Sequence, residues 1–144
     1  MSAMTVLNDL VGISLVRLRR VLYVHNGVVW EHTGPLQLTF QNGASIVLEA
    51  GGDGESLIIS RGAWVDAFEE PMSDENRHFV EMSGKWTGFE VAPSEPLGRA
   101  VGQELTRVAE VRNPSDKLTG VVLKLGTATI RVDVDSDELL VDVA

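Results

Sequence analysis

Residues 7–18, LNDLVGISLVRL, are matched without a gap by residues 97–108, LGRAVGQELTRV. Five of the twelve aligned positions are identical, namely Leu7/Leu97, Val11/Val101, Gly12/Gly102, Leu15/Leu105 and Arg17/Arg107. After the match, each copy continues into apolar alternation and then into an acidic turn, GGDGES in the first copy and DSDE in the second. The match predicts two internal repeats, at about residues 4–60 and about residues 94–144.

Each repeat is expected to begin with a short helix that ends at the shared glycine. Leu7, Leu10 and Val11 have the i, i+3, i+4 spacing of one helical face. Gly12 stands where a residue in the left-handed region would end such a helix. In the second copy, residues 94–96, SEP, supply a candidate serine N-cap and a proline close to the first helical position.

Further along each copy, the apolar period changes from that of a helix to that of a strand. Residues 121–125 and 131–135 alternate as antiparallel strands with one buried face do. The dipeptides Asn26-Gly27 and Asn42-Gly43 lie between apolar runs and favour type I′ hairpin turns. We therefore predict a mainly β fold at the margin of α+β. Each repeat would be a short helix followed by about four antiparallel strands, packed with the other repeat into one sandwich-like or barrel-like domain over residues 1–144.

The connecting segment, about residues 61–96, has no counterpart in the repeats and contains eight acidic and three basic residues. Within it, residues 61–70 are predicted to form a short helix ended by Pro71, residues 72–79 a loop, and residues 84–91 a strand. The segment also contains a group of aromatic residues, which are Trp64, Phe68, Phe79, Trp86 and Phe89.

Two interpretations of these aromatic residues remain open. They fill the seam between the repeats as core, or they form a binding face with an acidic rim, since aromatic residues provide most interface hot spots and charges select the partner. The rim would consist of Asp66, Glu69, Glu70, Asp74 and Glu75. On the second interpretation, the predicted binding residues are Trp64, Phe68, Glu69, Glu70, Asp74 and Trp86.

Composition excludes several classes of function. The net charge of −9 and the pI near 4.7 argue against nucleic-acid binding, which needs clustered lysine and arginine. The absence of cysteine excludes disulfides, thiolate chemistry and zinc sites built on sulfur. No apolar stretch has the roughly 18 residues of a membrane span, so we expect a cytoplasmic protein without a membrane partner.

Motifs for catalysis or for metal binding are also lacking. Residues 133–138, DVDSDE, have the first ligand spacings of a calcium loop, but Glu138 stands where that loop needs glycine. The three histidines match no spaced ligand set. Arg17 recurs as Arg107, which predicts an ion pair with a neighbouring strand in each copy and leaves an anion site as the alternative. We therefore predict no catalytic residue, no metal site and no cofactor, and the sequence leaves open whether the chain is an enzyme.

The second copy, GQELTRVAEVRNPSDKLTGVVLKLGTATIRVDVDSDELLVDV (residues 102–143), resembles a family of small uncharacterised bacterial β-rich proteins. In that family a Gly-x-x-Leu opening leads to paired strands and an acidic closing turn. The resemblance covers about 45 residues well and implies a mainly β fold. It supplies no activity and no catalytic residue. In size and charge, the chain is also similar to immunity proteins of bacterial toxin systems.

Three functions are consistent with the sequence. The first is a non-enzymatic protein-binding module, immunity-like or regulatory, that engages a basic protein partner through residues 61–96. The second is a small-molecule-binding or enzymatic β domain with its site at the seam between the repeats. The third is a structural homo-oligomer joined by edge strands, with a homodimer as its simplest form.

Overall fold

The computed structural model describes residues 3–144 and is mainly β, with 49% of residues in strands and 14% in helices. The strands form two antiparallel sheets, and neither sheet closes into a barrel. The predicted mainly β class is therefore confirmed.

The elements follow one another along the chain in three groups. The first group is helix α1 (Ala3–Asn8) and strands β1 (Leu15–His25), β2 (Val28–Glu31), β3 (Leu36–Phe40), β4 (Ser45–Ala50) and β5 (Leu57–Arg61). The second is helix α2 (Asp74–Ser83) and strand β6 (Lys85–Glu90). The third is a 3₁₀ helix (Pro96–Ala100) and strands β7 (Leu105–Arg112), β8 (Leu118–Leu125), β9 (Ala128–Asp135) and β10 (Glu138–Val143).

The longest strand, β1, organises the larger sheet. That sheet has the order β2-β1-β3-β4-β5, and β6 pairs with β1 as its sixth strand. Arg19 and Arg20 pair with β3 and also with β6, so these two strands flank β1. The smaller sheet has the order β10-β9-β8-β7.

Buried side chains from both sheets belong to one hydrophobic cluster. The predicted alternation accounts for the part contributed by the smaller sheet, because Val121, Leu123 and Leu125 are fully buried and Val132 and Val134 are buried on the next strand. Side chains at the intervening positions are more exposed. Such alternation is expected when only one face of an antiparallel sheet packs on the core.

The two sheets meet where β1 and β7 begin. There, four backbone hydrogen bonds join residues 12–15 to residues 102–105 in two reciprocal pairs. In each pair, one bond is donated by the first matched stretch and the other by the second. The bonds run from Gly12 N–H to Leu105 O (2.7 Å), from Gly102 N–H to Leu15 O (2.6 Å), from Leu15 N–H to Gln103 O (2.9 Å) and from Leu105 N–H to Ile13 O (3.0 Å). An antiparallel bridge between Ser14 and Glu104 lies at the centre of this contact. Positions that match in sequence therefore occupy matching positions in the contact.

The shared glycine has the backbone conformation predicted for it, since φ is +95° at Gly12 and +88° at Gly102. The rest of the helix prediction needs correction. Helix α1 ends at Asn8, and of the two predicted face residues that follow it Leu10 is buried whereas Val11 is 44% exposed. In the second copy the helix is of the 3₁₀ type and its N-cap residue is Glu95 instead of Ser94, with no capping bond from its side chain.

One of the two predicted hairpin turns is confirmed. Asn26 and Gly27 have φ values of +52° and +73°, as a type I′ turn between β1 and β2 requires. The type I′ prediction for Asn42-Gly43 is wrong, because only Gly43 has a positive φ and the Asn42 side chain accepts a hydrogen bond from Ala44 N–H. A hydrogen bond from a backbone N–H to the asparagine side chain two residues before it forms an Asx turn instead.

The predicted strand in the connecting segment is confirmed as β6, but the other two predictions there are wrong. Residues 61–70 form no helix, because Trp64 N–H and Phe68 N–H donate to side chains instead of to a helical backbone. The expected loop contains α2, whose first turn begins with Ser73 Oγ accepting a hydrogen bond from Asn76 N–H. A serine cap satisfies an otherwise unpaired helix donor.

The repeated arginine behaves differently in the two copies. Arg17 forms an ion pair with Glu90 on β6, as predicted. Arg107 lies opposite Lys124 and has no ion-pair partner among residues 3–144, so the prediction is wrong for the second copy. The smaller sheet has no strand equivalent to β6 beside β7, and this missing neighbour is the physical reason.

We predict that Gly12→Ala and Gly102→Ala each lower the free energy of unfolding by about 1–2 kcal/mol, the cost of a left-handed conformation for a residue with a Cβ. No atom lies within 4 Å of a Cβ built at either position, so the loss would come from the backbone conformation and not from a clash. Urea unfolding measures the change. Gly52→Ala is the matched control, because that site is equally open without a positive φ. Equal stability of all three variants would contradict this prediction.

Candidate functional site

The connecting segment covers the face of the larger sheet that points away from the core cluster. Val21 and Val47 are buried, with exposures of 0% and 6%, yet neither belongs to that cluster. Gln37 on β3 is 2% exposed and is the one buried polar side chain among the described residues. Val21, Val47 and Gln37 are therefore removed from solvent on the face over which residues 61–70 lie.

Gln37 anchors the segment to the sheet. Its Oε1 accepts hydrogen bonds from Trp64 N–H at 3.0 Å and from Arg19 Nη1 at 3.4 Å. Its Nε2 donates to Thr39 Oγ1 at 3.1 Å. The guanidinium carbon of Arg19 also lies 6.0 Å from the centroid of the Trp64 ring, within the range of a cation–π contact. Both the backbone and the ring of Trp64 are thus held against the sheet.

Trp86 of β6 packs beside Tyr23 of β1, its partner in the strand pairing. The two ring centroids are 5.2 Å apart in an edge-to-face arrangement, which aromatic pairs prefer. The Tyr23 hydroxyl donates to the backbone oxygen of Ser83 at the end of α2. A Cβ at Gly34 would lie 2.7 Å from the Trp86 ring, so only glycine lets the indole approach this closely. These contacts fix the position of one wall of the site.

An ion pair and a ring stack form the opposite wall. Lys85 Nζ lies 2.6 Å from Asp66 Oδ2, and the two side chains are only 21% and 20% exposed. Lys85 Nζ also donates to the backbone oxygen of Phe68. The Phe68 ring stacks on Phe79 of α2 with centroids 5.3 Å apart. The charge of Lys85 is therefore already neutralised by Asp66.

Between these walls lies a cavity of about 510 Å³. Its lining residues include Tyr23, Glu49, Trp64, Asp66, Phe68, Phe79, Lys85 and Trp86. Two depressions adjoin it and share residues with it. One shares Tyr23 and adds His25, Trp30 and Glu31, whereas the other shares Phe68 and Phe79 and adds Glu75, Asn76, His78 and Met82. We call the cavity and these two depressions the aromatic surface.

The structure brings together half of the residues predicted from sequence. Trp64, Phe68 and Trp86 line the cavity as partly exposed side chains, and no aromatic residue of the segment belongs to the buried core. The interpretation of these aromatic residues as core that fills a seam is therefore wrong. Their neighbours in the chain, above all Asp66 and Lys85, hold them at the surface.

The other three predicted residues, Glu69, Glu70 and Asp74, are exposed but do not line the cavity. Both carboxylate oxygens of Glu70 pair with Arg77, at 3.0 and 3.2 Å. A hydrogen bond from Met72 N–H and the pairing with Arg77 lower the pKa of Glu70 below its usual value. Asp74 lies in the first turn of α2, where a negative charge stabilises the helix. Glu70 and Asp74 thus serve the local fold.

Sequence reasoning missed the residues of the aromatic surface that precede the connecting segment, among them Tyr23, Trp30, Glu31 and Glu49. Trp30 is 66% exposed, which is unusual for so large an apolar side chain. Glu49 interrupts the apolar run of β4 at a position on the outer face of the sheet. An aromatic residue and an acid at outward strand positions are the sequence signal that was available.

A second cavity, of about 650 Å³, lies between the edge of β10 and the strands β1 and β6. Its walls are mainly apolar, and Arg20 is among its lining residues. Arg20 Nη2 donates to the backbone oxygens of His32 and Leu139, at 2.7 and 2.6 Å, and so ties β10 to the larger sheet. Burial lowers the pKa of Arg20 to about 10, which leaves it charged at neutral pH.

Other kinds of site are not found. From Ala3 to Ala144 no group of histidine, cysteine or carboxylate side chains has the arrangement of a metal site. The acidic sequence at 133–138 ends in a tight turn with positive φ at Ser136 and Asp137. No helix of the described chain has the length and apolar character needed to cross a membrane.

Comparison with known proteins adds no further assignment. No protein-family model, no curated protein and no solved structure matches the chain.

We predict that Gln37→Ala lowers the free energy of unfolding by about 1–3 kcal/mol, because Trp64 N–H loses its acceptor in a water-poor position. Chemical denaturation measures this loss. Gln41→Ala is the matched control, since Gln41 lies in an exposed turn. An equal effect of the two substitutions would show that the amide of Gln37 does not anchor the segment.

Proposed function

We propose that the protein is a binding module that engages a basic protein partner through the aromatic surface. The observation that carries this proposal is the gathering of partly exposed aromatic side chains around an open cavity with carboxylates in its lining. Large apolar side chains at a surface mark interaction sites when they are contiguous. No catalytic step is part of the proposal.

The apolar part of the surface supplies the binding energy. Trp30, Phe79 and Met82 are 66%, 51% and 67% exposed, so each would lose water contact when a partner binds. Burial of apolar area is favourable by about 25 cal/mol per Å². Tryptophan is strongly enriched among hot spots because it combines area with few rotatable bonds. The rings already fixed by Gln37 and Gly34 need little further ordering.

The charged part of the surface selects a basic partner. Its lining contains four carboxylates and one lysine, and these are Glu31, Glu49, Asp66, Glu75 and Lys85. Because Lys85 is paired with Asp66, the remaining charge is negative. The net charge of −9 of the whole chain acts in the same direction over longer distances. Complementary charge raises the association rate and disfavours acidic partners.

An immunity-like or regulatory role suits such a module, because both roles need specific recognition without chemistry. We also propose that the chain is related to the small bacterial β-rich proteins that it resembles and that it is cytoplasmic. We also infer that residues 4–60 and 94–144 are equivalent repeats packed into one sandwich-like domain. The reciprocal hydrogen bonds between residues 12–15 and 102–105 support that inference.

A second candidate function is small-molecule binding at the cavity between β10 and the larger sheet. The observation that favours it is Arg20, which uses Nη2 for two backbone oxygens, while its other guanidinium N–H groups make no hydrogen bond within the described chain. However, carboxylates of Glu90, Glu95 and Asp142 surround the same opening. They would oppose an anionic ligand, so we place this candidate second.

We predict that random peptides selected for binding to the immobilised chain are rich in arginine or lysine together with apolar residues. The double variant Glu31→Lys, Glu75→Lys should bind these peptides at least about tenfold more weakly by calorimetry, because opposite charges become like charges. The matched control is Glu104→Lys, Glu138→Lys, which changes the net charge equally at exposed positions outside the aromatic surface. Selected peptides without excess positive charge, or equal weakening by both double variants, would overturn the proposal.

The apolar contribution is tested separately with Trp30→Ser. We expect the same peptides to lose about tenfold or more in affinity, since truncation of a hot-spot residue costs about 2 kcal/mol or more and about 1.4 kcal/mol is tenfold. Leu140→Ser is the control, because Leu140 is an exposed apolar residue on β10. Unchanged peptide affinity of the Trp30 variant would remove this ring from the interface.

A further inference from the structure

Glu49 is the carboxylate of the central cavity that lacks a partner. It extends from β4 and is partly buried. Within residues 3–144 it has neither an ion pair nor a side-chain hydrogen bond, whereas Asp66 in the same cavity is bound to Lys85 at 2.6 Å. A carboxylate in a cavity lining whose oxygens have no partner in the protein can accept hydrogen bonds from a bound cation.

The surroundings of Glu49 suit a cation. Five aromatic side chains line the same cavity, namely Tyr23, Trp64, Phe68, Phe79 and Trp86. The negative face of an aromatic ring attracts a cation, most strongly for tryptophan, and the attraction grows as water is excluded. The chain already contains one example, because the Arg19 guanidinium lies 6.0 Å from the centroid of the Trp64 ring. Aromatic rings and a free carboxylate together form a site for one positive charge.

We propose that the cavity binds one arginine side chain of the partner, with Glu49 as its counter-charge. This inference rests on the proposed function and names the residue of the partner that the cavity accepts. A guanidinium group is favoured over an ammonium group because it is planar, is less strongly hydrated, stacks on aromatic rings and binds a carboxylate through two N–H groups. The volume of about 510 Å³ accommodates an arginine side chain together with the peptide backbone next to it.

No other charged group of the cavity competes for this role. Lys85 lies on the same cavity, but its ammonium is held by Asp66 Oδ2 and by the backbone oxygen of Phe68. Asp66 also accepts the N–H of Phe68 through its second oxygen, at 2.8 Å. The oxygens of Asp66 are thus used within the protein. Those of Glu49 are free to accept hydrogen bonds from an incoming guanidinium.

The experiment is a titration of the full chain followed by NMR. The probes are acetyl-arginine amide, acetyl-lysine amide and acetyl-citrulline amide, the last of which has the shape of arginine without its charge. The arginine probe is expected to shift the indole N–H signals of Trp64 and Trp86, and its affinity should exceed that of the citrulline probe by at least about tenfold. Glu49→Gln should abolish this preference, because it removes the counter-charge and keeps the size of the side chain.

Glu69→Gln is the matched control, since Glu69 is exposed in the same segment and does not line the cavity. It should bind the arginine probe as the unchanged protein does. Thermal unfolding of both variants shows whether each remains folded at the temperature of the titration. If Glu49→Gln does not fold, Trp64→Phe provides the second variant, with weaker attraction for the cation expected from the smaller ring.

Three results would overturn the inference. They are equal binding of the arginine and citrulline probes, a preference for the lysine probe, and signal shifts that lie away from the aromatic surface. The proposed function has a separate test. If selected basic peptides bind the aromatic surface and Glu49→Gln leaves their affinity unchanged, the arginine site is wrong and the binding module stands. If no basic peptide binds there, the proposed function itself fails.

Discussion

The rest of the structure depends on the contact between the starts of β1 and β7. Gly12 and Gly102 each donate a backbone hydrogen bond across it, and both glycines have a φ that other residues adopt only at a cost. The contact sets the register of the two strands, and each strand then continues into a different sheet. A slip by one residue would turn the apolar side chains of a strand away from the common core.

The outer face of the larger sheet also has apolar side chains that must be shielded from water. An antiparallel sheet can leave one face to water, and the smaller sheet does so. The larger sheet instead has buried Val21 and Val47 on that face, and the connecting segment covers them. Gln37 supplies the polar anchor for this cover. The aromatic surface lies at the edge of the connecting segment, where the segment covers the sheet incompletely. The position of the candidate site therefore follows from the way the segment covers the sheet.

The parts that sequence predicted are those set by local pattern. Period-two alternation predicted the strands, and Asn26-Gly27 predicted its turn because both central residues need positive φ. Helix α2 escaped prediction because it has no buried residue and few apolar residues, and its start depends on the Ser73 cap. The aromatic content of the connecting segment predicted Trp64, Phe68 and Trp86 as site residues, and all three line the cavity. The place of Glu49 could not be predicted, because it depends on which sheet face the segment covers.

The three tryptophans of the chain, Trp30, Trp64 and Trp86, all lie on the aromatic surface, and the smaller sheet contains none. Intrinsic fluorescence therefore samples one side of the molecule. An emission change on adding a ligand would report an event on that side, whereas local opening of the smaller sheet would leave the signal nearly unchanged. Two spectroscopic probes that disagree during unfolding would thus reflect the distribution of the chromophores as much as any intermediate.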